Sequence, residues 1–374
     1  MSNRFGVTYR IFASSLDEAE ARAEGIALEQ TVEIPRDMVP SGYIEDVILG
    51  QVATIAPAGE GVFDAQITYS PDAVGHEFPQ LLNVIFGNSS IQKGLKVIGF
   101  APCLEIEKRF SGPRFGAEGM RVLTGRKTGG FVCPVIKPQG STSERLAELC
   151  YLTARAGADI IKEDHGLANQ HLATFLERVP LLAKAVSRAN EERASEGDTT
   201  RALYFPNLGG HGDQIRDFAM YAKEAGADGV LIIPGLYGFD AINRLARDPD
   251  FGLPIMAHPS HLGPYVLSPD TGYSHAMMFG TLMRLAGADI SIFPNVGGRF
   301  GFSTQECTDI ANACLDPMGY GKPILPSPGG GMSVERMGEM REMYGENAVY
   351  LLGGGLLRYG DKIGDAIKQM RDAL

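Results

Sequence analysis

From Phe131 to the C-terminus, a short apolar run and an amphipathic run alternate, and the alternation repeats eight times. The strand-like runs are FVCPVIK from Phe131, ADIIKED from Ala158, ALYFPNL from Ala202, GVLIIPG from Gly229, PIMAHPS from Pro254, ADISIFP from Ala288, PILPSPG from Pro323 and VYLLGGG from Val349. Runs this short and continuously apolar suit parallel strands covered by helices. Helix signals lie between them: SERLAELCYLTARAGAD opens at Ser143 and stops at Gly157, and QIRDFAMYAKEAGADG opens after Asp213 and stops near Gly226. The phrase AGAD recurs at Ala156, Ala225 and Ala286, marking one helix-to-strand turn three times. Eight units over about 245 residues match the ~250 residues of a (β/α)8 TIM barrel. A doubly wound open sheet is the alternative.

Residues 1–125 read differently. Strand-like runs (FGVTYRIFA from Phe5, GQVATIAPAG from Gly50, FDAQITYS from Phe63, LKVIGFAP from Leu95) mix with two helices, LDEAEARAEGIALEQ from Leu16 and EFPQLLNVIFG from Glu77. That order predicts a smaller α+β, ferredoxin-like domain with helices on one face of a sheet, preceding a barrel over 126–374. The Gly- and Arg-rich segment EKRFSGPRFGAEGMRVLTGRKTGG bridges the two.

The net charge of −11 disfavours non-specific attraction to nucleic acid or anionic lipid, so an anionic substrate must meet locally placed donors. Five cysteines without CxxC or zinc-site spacing read as reduced, buried thiols. Neither a secretory leader nor an apolar span of ~20 residues is present in the sequence, which predicts a cytoplasmic protein.

Barrel chemistry sits at the C-terminal ends of strands. That filter selects Lys137 after the first barrel strand; Lys162, Asp164 and His165 at the second; His258 and His261 at the fifth; and Arg299 after the sixth. The seventh and eighth end in SPGGG (Ser327 to Gly331) and GGG (Gly353 to Gly355), where glycine lets backbone N–H groups approach a phosphate, or simply makes tight turns. Strand alternation puts Lys162 and Asp164 on one face, as two ligands of one ion require; an ammonium cannot ligate, so Lys162 serves only as a carbamate. A plain Lys162–Asp164 ion pair is the competing reading. Lys137 is a candidate general acid or base. His211 and His275 read as structural or peripheral.

VIKPQG, DIIKEDHG, MAHPSH, a glycine-rich seventh strand end and LLGGG, in that order, resemble the RuBisCO large-chain superfamily, specifically its non-carboxylating RuBisCO-like (form IV) members. The resemblance covers nearly the whole chain. It implies that Lys137 moves the proton in enolisation, that Lys162 becomes carbamylated, and that Asp164 binds metal. It implies that His258 is the first fifth-strand histidine and that Gly330, Gly331, Gly354 and Gly355 hold phosphate. Glu29 in ALEQT and Asn88 in FGNSS resemble residues that reach a neighbouring subunit's barrel, implying a homodimer with shared sites.

Departures are equally informative. The carboxylase has a second lysine where Gln139 stands, a glutamate ligand at His165, an arginine at Pro259 and a histidine at Ile292; its mobile lysine falls at Arg299. The expectation is an enzyme that does not fix CO2. Mg2+ on carbamylated Lys162, Asp164 and His165 would polarise a carbonyl while Lys137 moves the adjacent proton. The expected substrate is a phosphorylated ketose such as 5-methylthioribulose 1-phosphate, in an isomerase or enolase reaction. The alternatives are C–C cleavage of a branched 3-oxo sugar-acid phosphate, and a non-catalytic regulatory protein.

Overall fold

In the computed structural model, which describes residues 3–374, thirteen strands form two sheets. The N-terminal sheet contains β1 (Phe5–Phe12), β2 (Gln51–Gly59), β3 (Val62–Tyr69) and β4 (Leu95–Ala101). On β1, Phe5, Val7, Tyr9 and Ile11 are fully buried beneath helices Leu16–Glu29 and Phe78–Phe86, while Thr8, Arg10 and Phe12 are partly exposed. Alternation of this kind covers one face only. Tyr9 donates its hydroxyl to the Ile85 carbonyl, tying sheet to helix.

Eight parallel strands follow: β5 (Phe131–Ile136), β6 (Ile160–Glu163), β7 (Leu203–Phe205), β8 (Val230–Ile232) and β9 (Ile255–Ala257), then, after a two-residue strand β10 (Gly272–Tyr273), β11 (Ile290–Pro294), β12 (Leu325–Gly329) and β13 (Val349–Leu352). Their order, β7-β6-β5-β13-β12-β11-β9-β8, is that of a barrel, and a parallel bridge from Asn207 to Leu231 joins the two ends. This closure excludes the open doubly wound sheet. The three AGAD turns share one conformation, since Gly157, Gly226 and Gly287 all have φ between 94° and 106°.

Inside the barrel, Phe131, Cys133, Ile160, Phe205, Leu231 and Met256 pack with residues of the other strands, and Met120 of helix Gly116–Thr124 joins them. All five cysteines are buried and free. No helix among the described residues is long and apolar enough to cross a membrane.

Strand β10 has no counterpart among the sequence expectations. It lies in the long connection after β9, yet it pairs in parallel with β4, giving the N-terminal sheet the order β10-β4-β1-β3-β2. Lys96 on β4 also donates to the Ser268 carbonyl at 2.6 Å. Barrel and N-terminal domain are therefore stitched by backbone as well as by side chains.

Candidate active site

A cleft of about 800 Å³ opens at the C-terminal ends of the barrel strands. It gathers Lys137, Lys162, Asp164, His165, His258, His261, Arg299 and the glycine runs around 330 and 354 on one surface. Every lining residue comes from the barrel.

Alternation along β6 arranges the centre. Ile160 faces the barrel interior and Lys162 follows it on the same side, 2% exposed; Glu163 points the other way, into a buried network with Arg178 and Tyr204. Burial lowers the Lys162 pKa to about 8, with the nearby Lys137 charge acting in the same direction. Asp164, just beyond the strand, accepts from the Gly166 amide at 2.9 Å on one oxygen and lies 2.6 Å from Lys137 Nζ on the other. Although burial pushes its pKa upward, these partners win and hold it below the usual carboxylate value. The competing reading, a plain Lys162–Asp164 ion pair, is not the one formed: Asp164 pairs instead with Lys137, which reaches across from the neighbouring strand β5.

His165 and His258 stack face to face with centroids 4.1 Å apart. Burial depresses the pKa of both, and the surrounding Lys162 and Lys137 add to the effect, so both imidazoles are neutral near pH 7. The Ser260 amide donates to His258 Nδ1 at 3.2 Å, which leaves the His258 proton on Nε2, as a donor.

At the glycine-rich end of the cleft, Gly330 and Gly331 adopt left-handed φ of 86° and 67°. Gly353 and Gly354 differ: a Cβ at either would meet nothing within 4 Å, so packing does not demand glycine there. Their missing side chains leave room beside the N-terminus of the helical segment Gly354–Lys362, whose first N–H groups have no partner within the helix. Arg299 is exposed on the loop after β11, its guanidinium 5.0 Å over the Phe300 ring, and His261 is exposed with φ 69°.

Glu29 and Asn88 are brought together, but away from this cleft. Asn88 donates to Glu29 at 3.0 Å and to Glu33 at 3.1 Å on the exposed face of the N-terminal domain. Glu33, with φ 53°, was not singled out by sequence; no pattern links it to residue 88.

Among the described residues no three His, Cys, Asp or Glu side chains converge as a metal site. The donor set around Asp164 fits a hard divalent cation only if Lys162 supplies an anionic oxygen. Its lowered pKa makes the neutral amine needed for carbamylation accessible.

A closed barrel with ionisable groups and glycine-rich strand ends gathered at its C-terminal mouth has the construction of barrel enzymes, whose active sites lie on that face. The family model described as ribulose bisphosphate carboxylase large chain, catalytic domain, matches residues 117–300. The chain is 38% identical over 97% of its length to 5-methylthioribulose-1-phosphate isomerase of Rhodospirillum rubrum, covering 94% of that protein. It is 31% identical to 2,3-diketo-5-methylthiopentyl-1-phosphate enolase of Bacillus pumilus, over 93% of this chain and 86% of that one. The crystal structure of a RuBisCO-like protein from Rhodopseudomonas palustris superposes with a TM-score of 0.84 at 33% identity, covering 100% of this chain and 98% of that one. The chain belongs to the RuBisCO large-chain family, in its non-carboxylating RuBisCO-like branch.

Proposed function

We propose that this protein enolises a phosphorylated ketose, with 5-methylthioribulose 1-phosphate as the leading substrate and isomerisation as the outcome. The observation that carries this reading is the convergence of Lys137, Lys162, Asp164 and neutral His258 with the glycine cradle in one cleft. The N–H groups near Gly331 and Gly355 take the phosphate, and Arg299 approaches from the rim. That anchoring sets the carbonyl end of the substrate over β5 and β6.

Lys137 is the proton carrier. Its Nζ lies 2.6 Å from Asp164, and once Asp164 is otherwise engaged Lys137 is released from that pair to face the substrate. His258, with its proton on Nε2, donates to a substrate oxygen as negative charge develops. Carbamylated Lys162, Asp164 and His165 would hold Mg2+, whose chemistry there is polarisation of the carbonyl. We place the protein in the cytoplasm as a homodimer in which Glu29 and Asn88 complete the partner's cleft.

The test is 1H NMR of 5-methylthioribulose 1-phosphate with the protein in D2O. Deuterium should appear on the carbon next to the carbonyl, followed by an isomeric product. No exchange, with turnover of 2,3-diketo-5-methylthiopentyl 1-phosphate instead, would favour the enolase reaction, on the strength of the Bacillus relative.

A further inference from the structure

We infer that His275 is a positioning residue for Arg299, tying the far end of the Arg299 loop to the seam between the two domains. The loop runs from Asn295 to Ser303, between β11 and helix Thr304–Leu315, and three of its nine residues are glycine. A chain this rich in glycine does not hold Arg299 in place by itself. Its C-terminal end is held from outside.

Three contacts do this. Ser303 and Glu306 form a reciprocal cap in which Glu306 Oε2 accepts from the Ser303 amide at 2.8 Å and from its hydroxyl at 2.9 Å. The other oxygen, Oε1, lies 3.3 Å from His275 Nδ1. Phe302, buried at 7% exposure, packs edge-on against the His275 ring with centroids 4.5 Å apart. One imidazole thus touches both the last buried residue of the loop and the carboxylate that caps the helix after it.

What His275 stands on is rigid. It lies two residues past β10, and the intervening Ser274 amide donates to the Val97 carbonyl of β4 at 2.9 Å. The π-helical turn Ala276–Thr281 that it opens is packed on helix Thr304–Leu315 so closely that a Cβ on Gly280 would lie 2.5 Å from the Ala313 Cβ. Displacing His275 would require the N-terminal sheet edge, this turn and the helix to move together. Arg299, four residues before Ser303, inherits that fixity through a short tether.

The role of Arg299 rests on the reading under Proposed function, so the experiment uses two readouts. Hydrogen–deuterium exchange of amides 296–301 is compared among wild type, His275→Phe, which keeps an aromatic ring against Phe302, and His275→Asn, which keeps a side-chain nitrogen donor. We expect faster exchange in His275→Phe, confined to this loop, and partial recovery in His275→Asn. In turnover of 5-methylthioribulose 1-phosphate, His275→Phe should lower kcat/KM by about tenfold, mainly through KM, and adding it to Arg299→Ala should cost nothing further. Unchanged loop exchange, or losses that multiply in the double variant, would overturn the inference. If the wild-type protein leaves this substrate untouched, the proposed function falls while the exchange data still decide the role of His275.

Discussion

Lys162 is enclosed by the barrel strands with no carboxylate among the described residues within ion-pairing distance, whereas Lys137 is paired with Asp164. An isolated ammonium is costly to bury, so the neutral amine is favoured and the pKa falls to about 8. Below that value the amine is protonated and cannot attack CO2, and as pH rises through about 8 the reactive form takes over. A 13C carbamate signal from labelled CO2 should therefore grow between about pH 7 and 9, and vanish in Lys162→Arg, which keeps the charge but lacks the amine. Lys162→Arg should also abolish turnover. A carbamate signal that persists in this variant would place the modification elsewhere, and full activity in it would remove the carbamate from the mechanism.

At the level of elements, β6 separates chemistry from stability by alternation alone. Lys162 serves the cleft; Glu163, its neighbour, is fully buried on the outer side, taking two bonds from Arg178 at 2.7 and 3.1 Å, one from the Tyr204 hydroxyl and one from the Asn207 amide. Arg178→Met would leave that carboxylate without a counter-charge, at a cost of about 3–5 kcal/mol. Thermal unfolding should show a lowered Tm, while adding Glu163→Gln to Arg178→Met should recover part of it. No recovery would mean that Arg178 stabilises through its bonds to the Ala168 and Ala173 carbonyls instead. The sequence made β6 and its seven partners legible because each is a continuous apolar run between helix signals. It could not show β10, since two residues carry no periodicity, nor the Asn207–Leu231 bridge. The Lys137–Asp164 pair was hidden for a related reason: alternation gives the face of a side chain, but the reach of Lys137 from the adjacent strand depends on register. His275 read only as structural or peripheral because its partners, Phe302 and Glu306, lie about thirty residues away.

Across the whole molecule, Pro259 and Ile292 line the cleft at the two positions where the carboxylase resemblance calls for an arginine and a histidine. Neither side chain can hold a second phosphate or hand on a proton, so purified protein given ribulose 1,5-bisphosphate and 14C-bicarbonate should form no labelled phosphoglycerate. Among the described residues none from the N-terminal domain lines the cleft, while Glu29, Glu33 and Asn88 form an exposed cluster elsewhere on the chain. Under the dimer proposed above, a twofold arrangement that laid each cluster over the other chain's barrel would complete both sites at once. In that arrangement Asn88→Ala damages the partner's cleft, whereas Lys137→Ala damages its own. Each variant alone should be nearly inactive, and because Asn88 is exposed its replacement should change stability by no more than about 0.5 kcal/mol. In an equal, fully exchanged mixture half of the dimers are mixed, and each mixed dimer keeps one intact site of two, so about a quarter of wild-type turnover should return. If every site were built from a single chain, no mixture could contain an intact one. Activity that stays at the level of the separate variants after subunit exchange has been verified would therefore rule out shared sites and leave the Glu29–Asn88–Glu33 cluster as a surface feature of the N-terminal domain.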